Sequence, residues 1–336
     1  MNYPAIRQTI GAMVAALALA WPAVSSAETK FKCSTGTLND VQHEWCKRLV
    51  ERLDKRTNGA LKGEVFPAAQ LGGGTQQIAG VQLGTIEMYM VPPEFLVGVD
   101  PRFMILTAPY LFNGFDHANR VLNDEEFRSQ FLSLGDSKGY KGVSLLVYGP
   151  VGVAARSPIR APDDLKGKKI RINATPIEQA MMDALGATGV PMGLVEAVTA
   201  IQQGVVDGVQ SGLPALANFK IYDMAKYHSN TAHFFVTSIG VVSKRWFDRL
   251  PVDMQKAIVE EGKAVQAELL DVAKQANDRA IEAWKAGSKD GWIELTDAER
   301  AAFRKRIEST DAQVVAKHPQ IKELLSLLRR KAQALQ

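Results

Sequence analysis

The chain has 336 residues, 46% hydrophobic and 23% charged, with 40 Lys and Arg against 36 Asp and Glu. That composition excludes a disordered or low-complexity chain. A net charge of +4 with no concentrated basic stripe argues against a nucleic-acid partner, and the length suits two domains. Residues 1–27 read as an export signal: Arg7 supplies the positive start, and Ile10 to Ala20 is an apolar run too short to span a bilayer. Ser25 and Ala27 put small residues where a signal peptidase cuts, so cleavage is expected after Ala27. Lys30 to Ser34 then reads as a strand. Asn39 or Asp40 caps a helix with an apolar stripe of Val41, Trp45, Leu49, Val50 and Leu53, stopped at Asn58-Gly59. Gly63 to Phe66 is a second strand. Gly72-Gly73-Gly74 leads to a helix from its cap Thr75 to Leu83, and Thr85 to Val91 is a third strand closed by Pro92-Pro93. This alternation predicts a mainly parallel sheet with helices on its faces.

Cys33 and Cys46 are the only cysteines. Export permits a disulfide between them; their apolar surroundings favour two buried thiols packed as small hydrophobes. A second unit begins near Lys141, with strands over Val143–Tyr148 and Val151–Ala155 separated by Gly149-Pro150. After a polar turn, Lys169 to Ile172 is a strand, and Thr175-Pro176 caps a helix running to Leu185. A helix over Val195–Gln203 follows, then one or two strands between Thr231 and Ser243. From Val252 to about Lys285, apolar residues recur at three- and four-residue spacing, which predicts one long helix, with room for a kink, reaching across both domains. Helices from Asp297 and His318 close the chain.

No nucleophile elbow, zinc helix, phosphate loop or dinucleotide fingerprint is present, and the five histidines show no ligand spacing. The sequence therefore points away from an enzyme, with neither metal nor cofactor expected. Gly72-Gly73-Gly74 lacks the Lys of a phosphate cradle and reads as a strand-to-helix turn. The segment that could carry chemistry is Lys168 to Pro176. Ile170 and Ile172 share one strand face, Arg171 takes the other, and the strand runs into a capped helix N-terminus. In α/β sheets ligands bind at the carboxyl ends of strands, where free N–H groups and a guanidinium fork suit a carboxylate. Pairing of Arg171 with a neighbouring acid is the alternative.

At this segment the chain resembles the solute receptors of tripartite ATP-independent periplasmic (TRAP) transporters, the DctP family. The resemblance rests on Asp164-Leu165-Lys166-Gly167-Lys168-Lys169-Ile170-Arg171-Ile172, Leu185-Gly186-Ala187, Val190-Pro191-Met192, Glu196 and Gln202 to Gly208. Phe66 to Gly73, Gln82 to Met88, Pro109-Tyr110-Leu111-Phe112, Trp246-Phe247 and Leu250-Pro251 extend it over nearly the whole chain. It implies an α/β periplasmic binding fold with a ligand cleft between two domains bridged by the long helix. The expected division is 28–148 with 237–276, and 149–236 with 277–336.

It also implies a monomer that captures an organic acid for the small and large membrane permease subunits, with Arg171 bridging the ligand carboxylate. Further cleft positions implied are Ser34, Thr37, Pro92, Val151, Asn173, Leu194, Ser211 and Phe235. Many relatives carry a second arginine where this chain reads Gly149 to Val153. Its absence favours an aromatic or other weakly polar monocarboxylate. A C4-dicarboxylate remains the alternative if Arg156, His233 or backbone N–H groups hold a second carboxylate. A receptor presenting its ligand to a sensor kinase, and a periplasmic enzyme acting on a small acid, are the readings from other classes.

Overall fold

The structure is a computed structural model describing residues 28–173 and 175–336; the export signal expected over residues 1–27 lies outside the described residues. The chain opens with β1 (Thr29–Thr35), α1 (Val41–Arg56), β2 (Leu61–Phe66), α2 (Gly74–Leu83) and β3 (Met88–Val91). β1 pairs in parallel with both β2 and β3, as the alternation requires. Asp40 rather than Asn39 caps α1, its Oδ1 accepting from Gln42 N at 3.0 Å and His43 N at 3.1 Å. The cap of α2 is Gly73, not Thr75, and the Gln76 side chain accepts the Gly73 N–H at 3.0 Å. Three glycines let the backbone turn into the helix two residues earlier than a side-chain cap would place it. Cys33 and Cys46 form a disulfide, with Cα atoms 5.7 Å apart. This corrects the expectation of free thiols: packing α1 on β1 brings the two inward-facing residues within bonding distance.

Between β3 and β4, a stretch with no predicted element, lie 3-10 turns at Pro93–Leu96 and Pro101–Thr107, then α3 (Phe115–Leu122) and α4 (Glu125–Leu132). β4 (Tyr140–Ala155) runs unbroken through Gly149-Pro150, where two strands were expected. A register shift between Val147 and Gly149 accommodates the glycine as a bulge. Next come β5 (Lys169–Ile172), α5 (Pro176–Ala184), β6 (Thr188–Pro191), α6 (Leu194–Gln202), β7 (Gly208–Gly212), α7 (Leu213–Asn218), β8 (Tyr227–Asn230) and β9 (Phe235–Ser243). Tyr140–Pro150 of β4 pairs antiparallel with β9, whereas Val151–Ala155 pairs with β7 on one side and β8 on the other. One strand thus belongs to two sheets. The order β2-β1-β3-β9-β4 makes the first, and β4-β7-β5-β6 the core of the second.

After α8 (Lys244–Phe247), the long helix is α9 (Val252–Glu268) followed by α10 (Leu270–Gly287). It kinks at Leu269, whose N–H turns to Gln266 O, three residues back. α9 packs on α1 of the first unit and α10 on α7 of the second, so the kinked helix bridges both. β10 (Trp292–Glu294) pairs with β8, and α11 (Asp297–Ile307) and α12 (Thr310–Lys317) pack on α5. The last helix, α13 (Lys322–Ala334), departs from the expected grouping of 277–336 with the second unit. It returns to α3 and α4 of the first unit. His117 Nε2 bonds Ala332 O at 2.8 Å, Arg120 Nε donates to Leu335 O at 2.9 Å, and Lys331 pairs with Asp124 at 3.0 Å. Its buried stripe of Leu324, Leu327 and Leu328 finds apolar cover there.

Candidate functional site

β5 delivers the central side chain. Ile170 and Ile172 are fully buried on one face, and Arg171 takes the other, 1% exposed. Both flanking strands, β6 and β7, run parallel to β5, so its carboxyl end opens where α5 begins. Thr175 caps α5 by accepting from Glu178 N at 3.0 Å, with Pro176 at the first helical position. Arg171 is clamped by two main-chain carbonyls: Nε donates to Met192 O at 2.9 Å and Nη1 to Gln210 O at 3.1 Å. Nη2 makes no hydrogen bond to the described residues. Desolvation pulls the guanidinium down to about 10, while the charges of Glu178, Glu94 and Glu196 oppose it. It therefore stays a cation at neutral pH.

Behind the arginine a polar chain fixes the wall. Glu178 accepts from Asn173 N at 3.3 Å, Thr175 Oγ1 at 3.1 Å and Gln210 Nε2 at 3.1 Å. Gln210 Oε1 then accepts from His233 Nε2 at 2.9 Å, which puts the His233 proton on Nε2 and lets Nδ1 accept from Thr231 Oγ1 at 2.8 Å. Burial drives His233 down to about 3, so the ring is neutral. With both nitrogens spent, it offers nothing to a second ligand carboxylate. Arg156 is engaged with Ile201 O, and neither residue lines the cleft.

The cleft encloses about 270 Å³, room for a small organic molecule. Its first-unit wall includes Thr37, Gln42, the glycines at the start of α2, Tyr89, Pro92 and Phe95; its second-unit wall includes Asn173, Leu194, Glu196 and Ser211. Tyr148 on β4 and Val236 on β9 form the floor where the two sheets meet. Gln42 is fixed by Thr35 Oγ1 at 2.9 Å and Thr37 Oγ1 at 3.2 Å, and it donates to Ser238 Oγ at 2.9 Å. Tyr148 donates its hydroxyl to Asp40 Oδ2 at 2.8 Å. The N-termini of α2 and α6 face each other across the opening. A Cβ on Gly73 would lie 3.5 Å from Glu196 Oε1, while Glu196 Oε2 accepts from Gly193 N at 3.1 Å. Among the described lining residues Arg171 is the only cation and Glu196 the only anion.

Of the residues singled out from sequence, Arg171, Thr37, Pro92, Asn173, Leu194 and Ser211 come together around the cleft. Ser34, Val151 and Phe235 do not. Ser34 donates to Met88 O at 3.3 Å and joins β1 to β3. Val151 is fully buried opposite Gly212. Phe235 is 6% exposed and packs edge-on against Phe112 and Phe115. Tyr89, Phe95, Gln42 and Tyr148 were not anticipated. Tyr148 and Tyr89 lie toward the ends of predicted strands, and applying the strand-end rule to every strand would have nominated them.

The family description DctP, bacterial extracellular solute-binding protein, family 7, matches residues 34–318. The chain belongs to this family. The 2,3-diketo-L-gulonate-binding periplasmic protein YiaO of Escherichia coli K12 is 30% identical over 79% of this chain and 80% of its own. The C4-dicarboxylate-binding periplasmic protein DctP of Rhodobacter capsulatus is 30% identical over 88% of this chain and 90% of its own. Among solved structures, a TRAP periplasmic solute-binding protein of Desulfovibrio salexigens with bound orotic acid superposes with a TM-score of 0.86. It is 27% identical, covering 91% of this chain and 99% of that one. As a DctP-family protein the chain is a periplasmic organic-acid receptor rather than an enzyme. Membership implies that it works with TRAP permease subunits.

Proposed function

We propose that this receptor captures a monocarboxylate with a weakly polar or aromatic body, anchors it on Arg171, and hands it to the two subunits of a TRAP permease. The observation that carries this reading is the charge inventory of the cleft. One guanidinium fork faces the cavity, the other charged lining residue is the anion Glu196, and Tyr89, Phe95, Leu194 and Val236 supply apolar surface. A second carboxylate would meet Glu196 rather than a cation, and like charges at close range are costly. The orotic acid in the Desulfovibrio salexigens relative is an acid of the favoured kind. The Rhodobacter capsulatus relative, named for C4-dicarboxylates, keeps succinate in the comparison. In this reading Thr37, Pro92, Asn173, Leu194 and Ser211 touch the ligand body. The two lobes divide near Tyr148 and Val236, the export signal ends at Ala27, and the mature protein acts as a monomer.

The test is a thermal-shift and calorimetric screen of the mature protein against aromatic, branched, sugar and C4-dicarboxylic acids, with Arg171→Ala alongside. Ligand at ~100 times its Kd stabilises by about 2.7 kcal/mol, enough to shift Tm by several degrees. Stabilisation by monocarboxylates that vanishes in Arg171→Ala is expected. Tight binding of succinate, with affinity lost when either end is amidated, would overturn the monocarboxylate reading.

A further inference from the structure

Two buried glutamates, one from each unit, stand in the field of Arg171. Glu178 on α5 is 1% exposed, and its donors among the described residues are uncharged: Asn173 N, Thr175 Oγ1 and Gln210 Nε2. Glu94, in the Pro93–Leu96 turn of the first unit, is also 1% exposed. Neither of its carboxyl oxygens has a partner among the described residues. Arg171 has already committed Nε and Nη1 to carbonyls. An ionised carboxylate in the position of Glu94 would lose its hydration and gain no donor among the described residues, and the charge of Glu178 would oppose it further.

We propose that Glu94 and Glu178 retain one proton between them at neutral pH, and that this proton keeps the charge of Arg171 available to a ligand carboxylate. The inference rests on Arg171 being the anchor. With the proton, Arg171, Glu94 and Glu178 sum to zero, and a bound acid adds one negative charge. Without it, a ligand carboxylate would compete with the charges of both glutamates for one guanidinium, with Glu196 already at the cleft.

The neighbouring charges leave the pair isolated. The turn bearing Glu94 packs on α2, β9 and the Pro101–Thr107 turn, whose single charged residue, Arg102, is held by Asp100 at 2.7 Å. Against α5, with its own exposed Asp183, stand β5, β6, the Pro101–Thr107 turn, α11 and α12. Their Lys169, Asp297, Lys305 and Lys317 are exposed. Glu299 pairs with Arg160, Arg306 with Asp163, Arg300 with Glu294 and Asp311 with Arg329, and Arg304 lies over the Tyr110 ring. His233, reached through Gln210, is neutral. Burial lifts Glu94 well above the usual carboxylate range and Glu178 lifts it further, with Arg171 opposing. Glu178 is raised by burial as well, and Arg171 is the first of the groups that oppose it.

Infrared difference spectra of the mature protein against Glu94→Gln read the proton directly. A protonated-carboxyl stretch is expected in the wild type at neutral pH and absent from the variant. Calorimetric titrations with orotate and with succinate, from about pH 6 to 9, read the coupling. Wild-type Kd should rise by up to about tenfold per pH unit once the pair loses its proton, while glutamine keeps the variant flat. Thermal unfolding checks that the variant folds: its stability relative to wild type should grow as pH rises. A wild type without the band overturns the proposal whether or not an acid binds, and parallel binding profiles in the two proteins overturn it too. A band with neither acid bound at any pH would defeat the receptor reading for both probes, and the coupling with it, but not the shared proton.

Discussion

Arg171 is braced by Met192 O and Gln210 O, so its fork reaches the cavity already oriented. Truncation to alanine removes the cation, strands both carbonyls and leaves Glu178 without its countercharge; ligand affinity should fall by about 3–5 kcal/mol, read by calorimetry. Arg171→Lys keeps the charge but replaces a planar fork, whose separate nitrogens reach Met192 O and Gln210 O, with a single nitrogen, so a loss of tenfold or more in affinity is expected. A second residue-scale prediction concerns His228. Its ring is 1% exposed, lies flat on Trp292 with centroids 5.0 Å apart, and both nitrogens lack partners among the described residues. Burial lowers it to about 3. Unfolded His228 therefore binds a proton that the folded ring refuses, and stability is lost as pH falls from about 6.5 toward 3, at up to about 1.4 kcal/mol per pH unit. His228→Phe should remove that increment, visible as a gap in denaturant midpoints that narrows or reverses in acid. Arg171 was legible because a strand ending at a capped helix is a local pattern. Gln42 was not, because it lies at the start of a helix rather than the end of a strand, and it is held in place by Ser238 of β9, far away in sequence.

At the scale of elements, the βαβ start of the chain was readable from period and punctuation, while β4 was not. Gly149-Pro150 carries a strong turn signal, yet neighbouring strands on both sides hold the segment extended and a bulge accommodates the glycine. The disulfide was equally beyond pattern, since buried thiols and a buried bridge share the same apolar surroundings. Closing a loop with a sequence separation of 13, the Cys33–Cys46 bridge should contribute about 3 kcal/mol. Replacing both cysteines with alanine should lower the denaturation midpoint accordingly, and the wild type should fall to match when reduced. Gly212 supplies a different test. A Cβ there would lie 2.7 Å from the Tyr148 ring, whose hydroxyl holds Asp40, the cap of α1. Gly212→Ala should therefore cost about 1–3 kcal/mol in stability and weaken ligand binding by displacing the cleft floor, measured by unfolding and titration together.

The whole molecule is two lobes joined by β4, β9, the kinked α9–α10 pair and the passage from α12 to α13. Polar contacts between the lobes include Asn218 Nδ2, which donates to Leu38 O at 2.7 Å, and the Thr107 and Thr175 hydroxyls, which lie 3.3 Å apart. Such a junction lets a ligand bias how tightly the lobes close. Small-angle scattering should show a lower radius of gyration on adding a bound acid, and no change in Arg171→Ala. The sequence anticipated two lobes and a bridging helix but not the return of α13, because a stripe of leucines does not say which of two apolar surfaces will cover it. That return has a practical consequence. β1 and α13 both sit on the first lobe, so the second lobe is in effect an insertion held at both ends by its neighbour. A tag or surface linker just ahead of β1 or after α13 would load only the first lobe. The second would swing unburdened, which makes the protein a natural chassis for an immobilised acid sensor with its reporter dye on α6 or α7.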